Sequence, residues 1–246
     1  MVKLTQDELS LLIKTLASFA FAYTDIKIVN NEIFNKTNDA VVTFNLKFPF
    51  QENLNIEITD IPSFVKILKG FADSDVIIEE DQYFYTFSFP NNVKFQFRKA
   101  DLIINPFNKD KVETLLKSVD LKSFDLDVTL FDKVRQLTHK FSQDLLVNLE
   151  DGHLEIKSKN NNINFTVDLP VSSEPFKFYI IQNAFPPLTF IDKVTLSYGA
   201  LQVTSGAPTV LYKIDTFIDI NKHTLPFSMI GVSSNKASSV SQEVLV

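Results

Sequence analysis

The sequence contains no cysteine and no tryptophan, only three histidines and only five glycines in 246 residues. The lack of cysteine excludes disulfides, thiolate zinc sites, thiol redox chemistry and a cysteine nucleophile. His139, His153 and His223 show no paired spacing of the HxxxH kind that metal sites use, so no metal is expected. With so few glycines there is neither a GxGxxG dinucleotide loop nor a GxxxxGK[ST] phosphate loop, and no cofactor is expected. No apolar run approaches the ~20 residues needed to cross a bilayer. The start, Met1 to Asp7, lacks a charged-then-apolar signal pattern, so the protein is expected to be intracellular and away from membranes.

What is present is a normal globular composition, 45% apolar and 22% charged, with length enough for one or two domains. The net charge of -6 argues against a general nucleic-acid binder, because such binding depends on Lys and Arg meeting phosphates. The 24 phenylalanines carry no functional inference.

Hydrophobic periodicity decides the domain count. Gln6 to Tyr23 places Leu9, Leu12, Ile13, Leu16, Phe19 and Ala20 on one helical face, and Thr5 with Glu8 three positions on forms a capping box. Strands are predicted at Asp25 to Val29, Val41 to Phe48 and Leu54 to Ile58, then a helix at Pro62 to Ala72 with proline in its permitted first turn. Further strands are predicted at Asp75 to Glu79, Tyr83 to Phe89 and Val93 to Arg98. The polar stretch Ile103 to Ser123 reads as a connector with a short helix near Lys111 to Val119.

The same order then returns. A helix is predicted at Thr129 to Phe141, with strands at Asp144 to Leu149, His153 to Lys157, Ile163 to Leu169 and Phe176 to Ile180. A clipped helix at Ile181 to Phe185 follows, then strands at Val194 to Tyr198, Gly199 to Thr204 and Val210 to Thr216. The two halves align at an offset close to ~120 in element order and spacing rather than in residues. The reading is an α+β fold of two similar domains: 1–105, a connector at 106–123, 124–228, and a flexible Ser-rich tail at 229–246.

The helices share a property that the overall charge conceals. Lys66 and Lys69 fall opposite Phe64, Leu68 and Phe71. On the helix from Thr129, a stripe of Leu130, Val134, Leu137 and Phe141 leaves Arg135 and His139 opposite and Lys133 and Lys140 on the flank. Lys14 lies opposite the apolar stripe of the first helix. A solvated face explains this for any one helix. Its recurrence at equivalent repeat positions, with acids mainly in strands, turns and connector, predicts an acidic molecule with one basic helical surface.

These residues carry a resemblance. SFVKILKGFADSDVIIEE (63–80) resembles the second helix and following strand of the first domain in DNA polymerase sliding clamps of the PCNA type. RQLTH (135–139) resembles the first helix of the clamp's second domain, and VTLSYGA with PTVLYKID its closing strands. Tailed phages carry divergent clamps of this architecture, so a phage or other virus, and host cytoplasm, are the expected setting. The resemblance implies a homotrimeric ring of six such domains, with sheets outside and helices around double-stranded DNA. It implies sequence-independent phosphate contacts and, as partners, a DNA polymerase and a clamp loader. Lys66 and Lys69 match the family's DNA-facing lysines, Arg135 a basic position of domain two, and Lys14 lies on the corresponding first helix. Lys133 and Lys140 are added from the helical wheel. Ile181 to Phe185 departs from the family's basic lining. An apolar pocket for partner peptides is expected from Val41, Phe107, Pro208 and Pro226.

Two other readings stay open: a viral structural or assembly protein with two β-rich domains, and a clamp-fold accessory transcription factor that closes no ring. A hydrolase would need a nucleophile with a base, or convergent carboxylates. Glu79, Glu80 and Asp81 read instead as a solvated turn, so no catalytic residue is expected.

Overall fold

A computed structural model describes residues 1–21, 23–36, 42–99, 109–140, 145–150, 153–158, 164–167, 176–180, 187–201 and 209–234. The first half runs β1 (Val2–Leu4), α1 (Gln6–Phe19), β2 (Ile26–Val29), β3 (Glu32–Lys36), β4 (Val42–Lys47), β5 (Ile56–Ile58), α2 (Ile61–Leu68), β6 (Val76–Glu80), β7 (Phe84–Ser88) and β8 (Lys94–Arg98). α3 (Lys109–Ser118) lies in the connector. The second half is β9 (Lys122–Asp127), α4 (Val128–Lys140), β10 (Leu145–Glu150), β11 (His153–Ser158), β12 (Asn164–Val167), β13 (Phe176–Ile180), β14 (Thr189–Leu201), β15 (Thr209–Ile220) and β16 (His223–Ser234).

All strand pairs are antiparallel, and they make three sheets: β1-β6-β7-β8, β12-β11-β10-β13, and the eight-stranded β5-β2-β3-β4-β16-β15-β14-β9. The large sheet crosses the boundary between the halves, because β4 pairs with β16 from Leu46 opposite Phe227 to Val42 opposite Gly231. Element by element, β1-α1-β2-β3-β4-β5 corresponds to β9-α4-β10-β11-β12-β13, and β6-β7-β8 to β14-β15-β16.

Strand alternation sorts the two faces of the large sheet. Val210, Tyr212, Ile214 and Ile218 of β15 join the main core with the buried sides of α1, α2 and α4. Leu211, between them, points the other way and packs with Ile230, Val232 and Val112 of α3. The three helices α1, α2 and α4 therefore cover one side, and the connector helix covers the other. Lys109, at the start of α3, reaches Glu32 of β3 at 3.1 Å and so straps the connector to the first half.

The helix boundaries follow local chemistry. Thr5 and Glu8 form the capping box, with Glu8 Oε2 accepting from the Thr5 amide at 2.8 Å. Asp60 caps α2 by accepting from Ser63 N at 3.0 Å, and Asp127 caps α4 by accepting from Leu130 N at 2.9 Å.

Several sequence expectations are corrected. The sequence reading places no strand at β1, β3, β9 or β16, and the strands expected at Val194 to Tyr198 and Gly199 to Thr204 are one strand, β14. The tail expected from residue 229 begins later, since β16 continues to Ser234 between β15 and β4. Both its faces are covered, with Met229 in the main core and Ile230 and Val232 under α3, so simple alternation is lost. The remainder of the expected tail and the clipped helix at 181–185 lie outside the described residues.

Candidate nucleic-acid interface

The outward face of the helical layer is the surface to which the charge pattern points. On α2, Ile61, Phe64, Val65 and Leu68 are buried while Pro62, Ser63 and Lys66 are exposed. The 3-10 turn Lys69–Phe71 extends this face with exposed Lys69. Lys14 is exposed on α1, and Thr129, Leu130, Lys133 and Gln136 are exposed on α4.

Carboxylates neutralise part of the sheets' positive charge: Lys3 stands on Asp75 (3.3 Å), Lys27 on Glu57, Lys47 on Glu32 (3.9 Å), Lys193 on Asp125 (3.2 Å) and Lys213 on Asp215 (2.7 Å), with Lys99, just past β8, on Glu80. Among the described residues Lys66, Lys69 and Lys133 make no ion pair, and Lys14 Nζ donates to the neutral side chain of Asn221. Full positive charge is thus available to an anion on this face.

Arg135 is a correction. It is 2% exposed and belongs to the interior, not to the helical surface. Its Nε and Nη2 both donate to Asp132 Oδ1, at 2.9 and 2.7 Å, and Nη2 also donates to the Leu188 carbonyl at 2.5 Å. Its guanidinium carbon lies 4.6 Å from the centre of the Phe190 ring. Counted from the caps Thr5 and Asp127, Arg135 occupies the place of Ile13, which is 3% exposed. The buried side of α4 is Phe131, Val134 and Arg135, while Leu130, placed in the stripe by sequence, is 43% exposed. The predicted face was rotated by about one residue, roughly 100° of helix. The side chains of Lys140 and His139 lie outside what is described.

Of the expected peptide pocket, Val41, Phe107 and Pro208 lie outside the described residues. Pro226 is exposed on β16, directly across from Phe217 of β15, itself 41% exposed, which in turn faces Ile191 of β14. This apolar row lies on the side of the sheet that carries α3; the phenylalanine at 217 between two polar-facing positions, Asp215 and Asp219, is its signal in the sequence.

A cavity of about 350 Å³ opens between β5 and the β6-β7 pair. Its lining cations Lys27 and Lys99 are paired with Glu57 and Glu80, and Tyr85 Oη accepts from Glu57 N at 3.2 Å. Burial is the main cause that raises the Tyr85 phenol above its usual range. The charged groups of this lining thus neutralise one another in pairs. Asp81, in the neighbouring acidic turn, accepts from Tyr83 N (2.7 Å) and Phe84 N (2.8 Å), which hold its carboxyl below the usual range as a turn cap. No cluster of three or more metal-ligating side chains occurs among the described residues, and no helix among them is long and apolar enough to cross a membrane.

No family model matches the sequence, and no curated protein matches it significantly. Solved structures do. A chain of the PCNA2-PCNA3 complex from Sulfolobus tokodaii superimposes with a TM-score of 0.58 over 94% of this chain and 98% of its own, at 9% identity. The A. fulgidus PCNA structure with the C-terminal region of FEN-1 bound gives 0.52 over 96% and 99%, at 12% identity. The chain has the PCNA clamp fold. Neither of these structures is viral, and nothing in the comparisons supports the expected phage or viral origin. The clamp fold accounts for the two-domain repeat and for helices gathered on one side of the sheets.

Proposed function

We propose that this protein is a DNA sliding clamp: copies close into a ring whose helical face surrounds duplex DNA and whose outer face tethers a DNA polymerase and other replication proteins. The carrying observation is the set of lysines, Lys66, Lys69 and Lys133, that stand exposed on one helical layer with no carboxylate partner among the described residues of an acidic chain. Lys14, whose ammonium meets Asn221, belongs with them, and Lys140 is a further proposed DNA contact. Lysines that meet phosphates without reading bases bind any sequence and permit sliding, and the acidic exterior discourages DNA from lodging elsewhere. Neither a viral structural role nor a ring-free transcription factor requires this segregation.

Closure has a structural basis. β4 pairs with β16 inside the chain, while their repeat counterparts β12 and β8 each end a sheet. An exposed strand edge is a template for pairing, and head-to-tail pairing of β8 with β12 closes when the rotation per copy divides a full turn. Two domains per chain and six per ring make a homotrimer. The A. fulgidus PCNA structure holds a peptide from a partner enzyme. In this chain the row Ile191, Phe217 and Pro226 is where such a peptide docks, with Val41, Phe107 and Pro208 as further members. The protein has no catalytic role and needs no metal or cofactor. It acts inside the cell, where a clamp loader places it on DNA.

Light scattering near physiological salt, combined with DNA retention, tests the reading. The expected mass is three chains. Protein loaded on closed circular DNA should remain bound and leave when the circle is linearised. Lys66→Glu with Lys69→Glu should abolish retention while the mass stays trimeric, and a monomer at every concentration would overturn the ring.

A further inference from the structure

α4 carries a chain of contacts that runs from the core to the helical face. Arg135 is its buried end, with Nε and Nη2 both donating to Asp132 Oδ1. Asp132, also buried, accepts at its other oxygen, Oδ2, from Gln136 Nε2 at 2.7 Å. Gln136 is exposed and shares one side of the helix with Asp132, four positions before it, and with exposed Lys133, three before it. The contacts therefore step outward from the interior to the surface that carries Lys133.

The chemistry of the middle member fixes the outer one. A carboxylate only accepts, so the amide atom that faces Asp132 is the nitrogen, and that nitrogen has a second N–H. The Asp132 carboxylate is engaged by Arg135 and Gln136 rather than by the lysine next to it, so an acid on this helix takes no charge from Lys133. In the first half, counted from the caps, the places of Asp132, Arg135 and Gln136 are held by Ser10, Ile13 and Lys14. The outward place is an ammonium where no carboxylate stands one turn before it, and an amide where one does.

We propose that Arg135 and Asp132 are positioning residues that hold Gln136 so that its second N–H donates to a DNA phosphate beside the one met by Lys133. This rests on the DNA reading and deepens it, because Arg135 then acts on DNA through two neighbours without touching it. A neutral donor fixes the place of a phosphate without displacing a counterion, so it adds affinity that salt does not remove.

The test is binding of the full chain to a fluorescent linear duplex across a salt series, with urea unfolding of each variant as control. Lys133→Ala should lower the slope of log affinity against log salt by about one. Gln136→Met keeps the length of the side chain and removes the amide. It should weaken binding about three- to tenfold at every salt and leave the slope unchanged. Arg135→Ile with Asp132→Ser should weaken binding by a similar factor, and adding Gln136→Met to that pair should cost nothing more. Should the pair not fold, Asp132→Asn takes its place in the cycle, since it keeps an oxygen for Arg135 and loses the acceptor for Gln136. If Gln136→Met binds as the parent does while Lys133→Ala lowers the slope, the contact is overturned and the DNA reading stands. Additive losses would overturn the positioning of Gln136 by the buried pair. Parental affinity and slope in both Lys133→Ala and Gln136→Met would overturn the DNA reading at this face together with the contact.

Discussion

α1 and α4 open the two halves from equivalent caps and then bury different chemistry at the same place. In α1 the position is Ile13, packed in the main core. In α4 it is Arg135, held by Asp132, the Leu188 carbonyl and the Phe190 ring. The fold therefore demands that a side chain of this reach be desolvated there, and either an apolar group or a fully partnered cation meets the demand. The cation brings an obligation: Asp132 is 8% exposed and takes its charge partner from Arg135, with Gln136 donating to its other oxygen. Here the pair ties α4 to the start of β14, which Ile13 does not do for its own half through any specific bond.

Substitution at this pair gives the largest expected effect. Arg135→Ala leaves a buried carboxylate uncompensated and should cost about 3–5 kcal/mol in urea unfolding. Arg135→Ile with Asp132→Ser reproduces the Ile13 and Ser10 of the first half, and should be neutral or stabilising by about 1 kcal/mol or more, as replaced buried ion pairs often are. If the double variant is as unstable as Arg135→Ala, the two positions are not equivalent.

Next comes the difference that, among the described residues, the second half has a helix, α3, packed on its outer side. A methyl group added at Gly231 would fall 2.8 Å from Tyr212 Cε1 and closer still to the ring's hydroxyl end, in the main core. One added at Gly199 would fall 2.6 Å from the Asp120 carbonyl and closer to Val119, beneath the connector. Each alanine variant should lose about 1–3 kcal/mol by overpacking. Gly199→Ala should in addition speed hydrogen exchange in α3 ahead of the rest of the chain, whereas Gly231→Ala should not distinguish α3 from the core.

The smallest effect concerns the caps. Hydrogen bonds from Ser63, side chain and backbone, hold the Asp60 carboxyl below its usual range. A depressed folded value means stability that is present above the unfolded value, about 3.9, and is lost as pH falls through the folded one. Asp60→Asn should therefore lower the urea midpoint slightly at neutral pH, and the gap from the parent should close below about pH 4. A gap that is constant through the acid range would assign the effect to helix packing.

The parts of the fold legible in sequence were those with one buried face. α1 shows its stripe and capping box, α2 its stripe and first-turn proline, and β13 is predicted from Phe176 to Ile180 as observed, because local periodicity reports a half-buried element directly. β16 was not legible. Its serines, Pro226 and Gly231 imitate a loop, and burial on both faces removes the alternation. On the candidate site, the exposure of Lys66 and Lys69 was readable because Phe64 and Leu68 set the phase of the helix unambiguously. Arg135 was misplaced because a helical wheel weighs each side chain by its own polarity. Asp132 stands at a visible i,i+3 spacing, but nothing local announces that a carbonyl fifty-three residues away and the Phe190 ring will complete the burial.

By itself the sequence determined the capping box that starts α1, the helical phase of α1 and α2, and the outward placement of Lys66 and Lys69. These depend on neighbours within a few positions, and the chain carries such neighbours wherever it goes. The tertiary structure decided the pairing of β4 with β16, the connector helix on the far side of the sheet and the burial of Arg135. Each depends on groups distant in the chain, whose desolvation and hydrogen bonding are settled only when they meet.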